Sequence, residues 1–307
     1  MQKKSRRIRN LVIGSLAFIF LANYSYKLVH GDKKARQILN NHLDSIMHTE
    51  NVVAHRGFSS LFPDNSKEAI AAALNSPCVD MIEIDIQRTK NAKTILEHNS
   101  SIFLSDFLIN IKDLDLDNLN EDFEIAEYSH CNFDDFFHED AIFLYKRYFQ
   151  KNYVATSLFL LEEFVAWYDF SKPLILDLKI DEVDTLWMQE LNSIFLPYQD
   201  KVFFQSSYYP FLEKMQELYP NYKYLYIIDS KDDLQNINNN FTGYTVKYSL
   251  LNYLEIDPEK MYFIYTINSS KTYLDLINQK NYQSNFYIIT DNPDYICALN
   301  DSKKLRK

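Results

Sequence analysis

The sequence predicts an α/β fold, a TIM-type (β/α)8 barrel preceded by one N-terminal transmembrane helix. Three observations lead there. Eight short runs rich in Val, Ile, Tyr and Phe recur between residues 51 and 290, as half-buried strands require. Most are separated by stretches of helical periodicity, and eight such alternations over about 250 residues match a closed parallel barrel. Finally, a basic cluster and an uncharged apolar run precede all of this.

The amino terminus comes first. Residues 1–10 hold Lys3, Lys4, Arg6, Arg7 and Arg9 and no acid, and read as a cytoplasmic flank. Residues 11–26 (LVIGSLAFIFLANYSY) carry no charge and read as a signal anchor, slightly short of the ~20 residues that usually span a bilayer. Tyr24 and Tyr26 suit the interfacial belt, and Lys27 can snorkel. A cleaved signal peptide shares the basic start, but the residues after the run offer no small-x-small cleavage site. The basic flank then stays inside and the barrel lies on the outer side of the membrane. Residues 27–50 read as a linker helix, and residues 51–300 as the barrel.

Within the barrel the predicted strands are Asn51–Ala54, Met81–Ile86, Leu174–Lys179, Val202–Gln205, Lys223–Ile228, Tyr244–Lys247, Tyr262–Ile267 and Phe286–Thr290. Helices are expected over Lys67–Leu74, with Asn65 and Glu68 as a cap pair, and over Leu158–Tyr168, Val183–Phe195, Tyr209–Leu218, Lys231–Ile237 and Lys271–Gln279. Thr94–His98 follows Ile86 too closely for a parallel crossover, so it should pair antiparallel as a hairpin over the mouth. Residues 113–140 hold eleven acids and no Lys or Arg, which reads as a solvated excursion from that mouth, with a lid as the sharper alternative.

Composition excludes several classes. The chain has 307 residues and a formal net charge of −10, with no basic block in its body, which argues against nucleic-acid binding. Four glycines in all leave no Gly-rich phosphate loop. Cys78, Cys131 and Cys297 show no paired spacing and read as incidental small apolar residues.

Functional groups of such barrels sit at the carboxyl ends of strands. The first strand ends in His55-Arg56-Gly57. Glu83 and Asp85 are two apart on the second strand and therefore share a face. Two carboxylates on a buried face need partners, and a divalent cation supplies them through hard oxygen ligands. His98 ends the hairpin strand, and Asp177 and Lys179 share a face of the third barrel strand. Three carboxylates, two histidines, one arginine and one lysine on one rim suit metal-assisted cleavage of a phosphodiester.

These segments resemble the glycerophosphodiester phosphodiesterase family. AHRGFSSLFPDNSKEAI (54–70) is similar to its HRG…PENT signature, and MIEIDIQRTKNAKTILEHN (81–99) to its E-x-D…H-D segment. LILDLK resembles its E-x-K strand, FQSSYYPFLEKMQELYP (204–220) the stretch after its fourth strand, YTIN (265–268) its WTVN motif and IITDNPD (288–294) its TD-x-P element. The matches run in the family's order from residue 51 to about 299.

The resemblance implies a TIM-type barrel and one divalent cation, Ca2+ or Mg2+. It implies Glu83, Asp85 and Asp177 as metal ligands and His55 and His98 as the acid/base pair, with no indication which does which. Arg56 and Lys179 would hold the phosphate, and Tyr265 would line the substrate pocket. The implied reaction releases glycerol phosphate and an alcohol from a glycerophosphodiester or an envelope glycerol-phosphate polymer. Departures stand at Asp64 and Asp177 (each Asp for Glu), at Asn99 (Asn for Asp), and at Asn91-Ala92, where the family has Asp-Gly and where Asn can take the left-handed turn conformation. They leave two alternatives: a barrel that binds glycerol-phosphate groups without turnover, or a phosphodiesterase for lysophospholipid-type substrates.

Overall fold

The structure is a computed structural model, and it describes residues 51–104, 107–118, 158–237, 240–279 and 282–304. The basic flank, the anchor at 11–26, the linker helix at 27–50 and most of the acidic excursion lie outside the described residues. Among the described residues no helix is long and apolar enough to cross a membrane.

Among the described residues there are eleven strands: β1 (Asn51–His55), β2 (Met81–Arg88), β3 (Thr94–Leu96), β4 (Ser101–Leu104), β5 (Phe107–Asn110), β6 (Leu174–Leu178), β7 (Val202–Ser206), β8 (Lys223–Ile228), β9 (Gly243–Lys247), β10 (Met261–Tyr265) and β11 (Phe286–Thr290). Strands β1, β2 and β6 to β11 pair in parallel, and the additional β1–β2 pairing closes them into an eight-stranded barrel. β3 pairs antiparallel on β2, with Ile86 opposite Leu96, as the short connection requires. The helices are α1 (Lys67–Asn75), α2 (Leu161–Trp167), α3 (Thr185–Phe195), α4 (Tyr209–Leu218), α5 (Ser270–Ile277) and α6 (Pro293–Lys304).

The barrel interior follows from the two-residue repeat of strands. Val53, Met81, Ile175, Phe203, Leu225, Phe263 and Ile289 form one buried apolar layer drawn from seven of the eight barrel strands. The remaining strand, β9, contributes Gly243, where a Cβ would sit 2.1 Å from the Met261 carbonyl oxygen. The fully buried aromatic and aliphatic side chains of this layer each stabilise the fold by about 1.5–3 kcal/mol. Outside, Trp187 of α3 is buried and donates its indole N–H to Thr94 Oγ1 at 3.0 Å, tying helix to hairpin.

Four expectations are corrected. The helix expected over Lys231–Ile237 is a 3-10 turn, Asp232–Asn236. Asp233 Oδ2 accepts the backbone N–H of Asp229 (3.1 Å) and Ser230 (2.7 Å), a side-chain competitor that favours a turn over a regular helix. Helix α1 is capped by Ser66, whose hydroxyl accepts the Ala69 N–H at 3.1 Å, and not by Asn65. At the hairpin turn it is Ala92 that takes positive φ (61°), while Asn91 accepts from Thr89 Oγ1 at 2.8 Å. Cys78 and Cys297 are not incidental. They form a disulfide across 219 residues, with Cα atoms 6.0 Å apart, joining the loop before β2 to the C-terminal helix.

Candidate active site

The site is the continuation of the apolar layer. Toward the carboxyl ends, the inward positions of seven of the eight strands turn polar: Val53 is followed by His55, Met81 by Glu83 and then Asp85, Ile175 by Asp177, Phe203 by Gln205, Gly243 by Thr245, Phe263 by Tyr265 and Ile289 by Asp291, while on β8 Leu225 is followed by the apolar Ile227. The strand registers bring these into one ring, with Asp85 opposite Asp177, Asp177 opposite Gln205 and His55 opposite Glu83.

Glu83, Asp85 and Asp177 are all buried, and one carboxylate oxygen from each lies within 4.8 Å of the others. Burial and the neighbouring Asp85 push the Glu83 carboxyl up to about 8. Burial likewise raises Asp177 despite Lys179 beside it. Burial opposes the charge on Asp85 too, but Lys179 and Arg56 outweigh it and hold Asp85 well below the usual carboxylate range. Asp177 Oδ1 is buried with no hydrogen-bond partner. Three crowded carboxylates with one orphaned oxygen fit a divalent cation held by hard oxygen ligands.

Two cations brace this cluster. Lys179 Nζ lies 2.5 Å from Asp177 Oδ2 and 3.0 Å from Asp85 Oδ1. Arg56 Nη1 donates to Asp64 Oδ2 at 2.7 Å, and its Nε lies 3.1 Å from Asp85 Oδ2. The Arg56 backbone N–H donates to Glu83 Oε2 at 3.0 Å. Arg56 at φ 56° and Gly57 at φ 80° are consecutive left-handed residues that turn the chain out of β1. A side chain at 57 is also excluded by space, since a Cβ would lie 2.6 Å from the Ala69 carbonyl carbon.

The two imidazoles differ. His55 Nδ1 lies 2.6 Å from Asp291 Oδ1. Burial pulls His55 down, yet Asp291 and Glu83 leave it above its ordinary value. His98, just beyond β3, is pushed down to about 4, chiefly by burial, with Arg56 and Lys179 opposing its protonation and Asp85 favouring it. Tyr265 donates its hydroxyl to Asp229 Oδ1 at 3.0 Å, an oxygen that also accepts from Lys247 Nζ at 2.9 Å. The sequence-predicted residues thus converge on one rim, with Tyr265 at its β8–β10 side.

Several residues of the rim escape the sequence reading. Asp291 orients His55 and is itself held by Asn268, whose Nδ2 donates to Asp291 Oδ2 at 2.5 Å. Asn65 donates to Asp85 Oδ2 and accepts the Asp85 N–H, both at 2.9 Å. Gln205 accepts from Thr245 Oγ1 at 2.7 Å. Asp291, Gln205 and Thr245 were within reach of the two-residue repeat counted on from each strand's buried apolar position. Asn65 lies on a loop and off that repeat; its signal was its place in the PENT-like run Pro63-Asp64-Asn65-Ser66.

A parallel barrel whose polar rim gathers carboxylates, paired cations and imidazoles at the carboxyl ends of its strands defines the class, a phosphoric diester hydrolase. The chain belongs to the glycerophosphoryl diester phosphodiesterase family, whose model matches residues 55–287. Similar solved structures agree on the fold. A Silicibacter pomeroyi protein whose name carries the same activity is 13% identical, with a TM-score of 0.65, covering 84% of this chain and 95% of its own. A glycerophosphodiester phosphodiesterase from Parabacteroides distasonis is 16% identical (TM-score 0.60; 84% and 99% covered). A phosphodiesterase from Oleispira antarctica, solved with the product sn-glycerol-3-phosphate, is 18% identical (TM-score 0.59; 82% and 97% covered). No curated protein sequence matches the chain.

Proposed function

We propose that this protein is a membrane-anchored, divalent-cation-dependent hydrolase that cleaves glycerophosphodiesters to glycerol phosphate and an alcohol by two-histidine acid/base catalysis. The observation that carries the reading is the Glu83–Asp85–Asp177 cluster, with its orphaned Asp177 oxygen, braced by Arg56 and Lys179. These three carboxylates would hold Ca2+ or Mg2+, which when bound supplies Lewis-acid polarisation of the phosphoryl oxygens. Arg56 and Lys179 are half-buried cations that can swing part of their charge from carboxylate to phosphate.

The proton chemistry falls to the imidazoles. Asp291 accepts the Nδ1 proton of His55 and favours its imidazolium, so Nε2 donates to the leaving alcohol. His98 stays neutral near pH 7 and accepts a proton from the attacking hydroxyl: a water yields glycerol phosphate directly, whereas a neighbouring substrate hydroxyl yields a cyclic phosphate that a water must then open, with the two imidazoles exchanging roles. Tyr265 and the Asp229–Lys247 pair form the wall against which the alcohol portion rests.

Two features support a barrel on the outer side of a membrane: the basic flank with its uncharged run, and the Cys78–Cys297 disulfide, a bond that persists in oxidising compartments. Envelope glycerophosphodiesters, free or in glycerol-phosphate polymers, are then the accessible substrates.

The test uses the full chain in detergent. Release of glycerol phosphate from glycerophosphocholine is followed with chelator and after Ca2+ or Mg2+ is restored. Cation-dependent turnover that disappears in His55→Ala and His98→Ala is expected. Wild-type turnover in either variant, or in excess chelator, sinks the mechanism. Ligand-induced stabilisation without any ester cleavage would make the protein a binder.

A further inference from the structure

His98 sits where the sheet no longer holds the chain. The β2–β3 ladder ends at the Ile86–Leu96 pair, two residues before the imidazole. Residues 97–99 must therefore be fixed by other bonds if His98 is to keep a defined place above the carboxylates.

Those bonds come from β2. The Glu97 N–H donates to the Asp85 carbonyl oxygen at 3.1 Å. Gln87 lies two residues beyond Asp85 and is buried. Its Nε2 donates to the carbonyl oxygen of Glu97 at 2.8 Å and to that of Asn99 at 2.7 Å, the residues on either side of His98. Two carbonyl acceptors dictate which end of the amide faces them, since only the NH2 group has two hydrogens to give. The Glu97 side chain tightens the same turn by accepting the Asn99 N–H on Oε1 at 2.6 Å. One strand thus carries two of the three carboxylates and also grips the segment bearing the second imidazole.

We propose that Gln87 is a positioning residue: its amide spans the peptide carbonyls flanking His98 and keeps that imidazole in register with Glu83 and Asp85. The role rests on the reading of His98 as an acid/base group. Gln87 touches no reacting atom. An apolar residue of similar volume would leave two carbonyls without their donor and let the turn relax, while the carboxylate cluster, on the regular part of β2, stays in place.

The experiment compares Gln87→Met with wild type in the full chain, using glycerophosphocholine as substrate and Ca2+ and Mg2+ titrations as the control for the cluster. A kcat lower by about 10- to 100-fold is expected, the size seen when supporting hydrogen bonds of a site are removed, with KM and cation affinity changed by less than about threefold. Gln87→Leu is read in the same way should Gln87→Met fail to fold. A kcat within about twofold of wild type overturns the proposal, as does a fall in cation affinity that parallels kcat, the mark of general loosening. His98→Ala, run alongside, separates the two readings. If it turns over normally, the acid/base reading fails and the positioning role with it. If it is inactive while Gln87→Met is fully active, only the positioning role fails.

Discussion

Asp291 Oδ1 lies 2.6 Å from His55 Nδ1, so the first imidazole of the rim is oriented by a carboxylate just beyond the last strand of the barrel. The two residues are 236 positions apart and meet because β1 and β11 pair in parallel where the barrel closes, Ala54 beside Thr290. Asp291 is itself fixed from two sides, accepting from Asn268 Nδ2 and donating its own N–H to Asn268 Oδ1 at 2.9 Å.

Asp291→Asn keeps a hydrogen-bond acceptor of the same shape but removes the anion that favours a protonated His55. Activity should fall by about 10- to 100-fold, as for other partners that orient a functional imidazole. Because Asp291 raises the His55 pKa, its loss should move the limb of the pH–rate profile that reports this proton to lower pH. A profile measured from pH 5 to 9 checks the sign, and an unmoved limb assigns the proton elsewhere.

The carboxyl groups make a second prediction, on stability. Burial and Asp85 raise Glu83 to about 8, and burial raises Glu97 to about 8 despite the hydrogen bond from Asn99. A carboxyl group whose folded value is raised binds more protons in the native state than in the unfolded one, so it destabilises the fold as pH climbs from about 4.5 to 8. His55, also raised, works in the same direction, because its contribution is present below its unfolded value near 6.5 and lost above its folded one. Asp85 and Asp291 are lowered, so their contribution is already complete above pH 4 and does not change in this window. His98, lowered to about 4 by burial, works the other way and adds stability as pH rises to about 6.5, but it is one group over a shorter span than Glu83 and Glu97 together. In chelator the melting temperature should therefore drop between pH 5 and pH 8. Added Ca2+ or Mg2+ should recover more of it at pH 8 than at pH 5, because ligand carboxylates must be ionised. Thermal melts at the two pH values, with and without cation, decide it.

The disulfide gives a third. Cys78 and Cys297 close a loop of most of the barrel, and removing such a link lowers stability by about 2–4 kcal/mol in typical cases. Cys297→Ser should unfold at lower denaturant than wild type, and reductant should destabilise wild type but not the variant. Thiol titration of the oxidised, denatured chain should find one free thiol, that of Cys131. Three free thiols in protein isolated without reductant would refute the pairing.

How much of this was legible beforehand follows from range. Lys223–Ile228, Phe286–Thr290 and Tyr209–Leu218 have the predicted bounds, because β-branched and aromatic runs or a 3.6-residue apolar period declare themselves locally. Glu83, Asp85, Asp177 and Lys179 were readable because carboxylates and cations two residues apart inside apolar strands are conspicuous. Asp291 and Gln205 lay on the same repeat but carried no such signature. Helix 231–237 was misread because Asp233 folds its side chain back on Asp229 and Ser230, a contact that propensity does not register.

The local sequence by itself therefore determined the eight-strand alternation, the carboxyl-end residues and the family, since strand period and motif order are written along the chain. Only the tertiary structure decided which side chains meet: Asp291 with His55, Asn65 with Asp85, Gln87 with the turn around His98, and Cys78 with Cys297. Closure of the barrel joins segments distant in the chain, as for Asp291 with His55 and Cys78 with Cys297, while Asn65 and residues 97–99 are delivered by a loop and a turn whose path no residue period specifies.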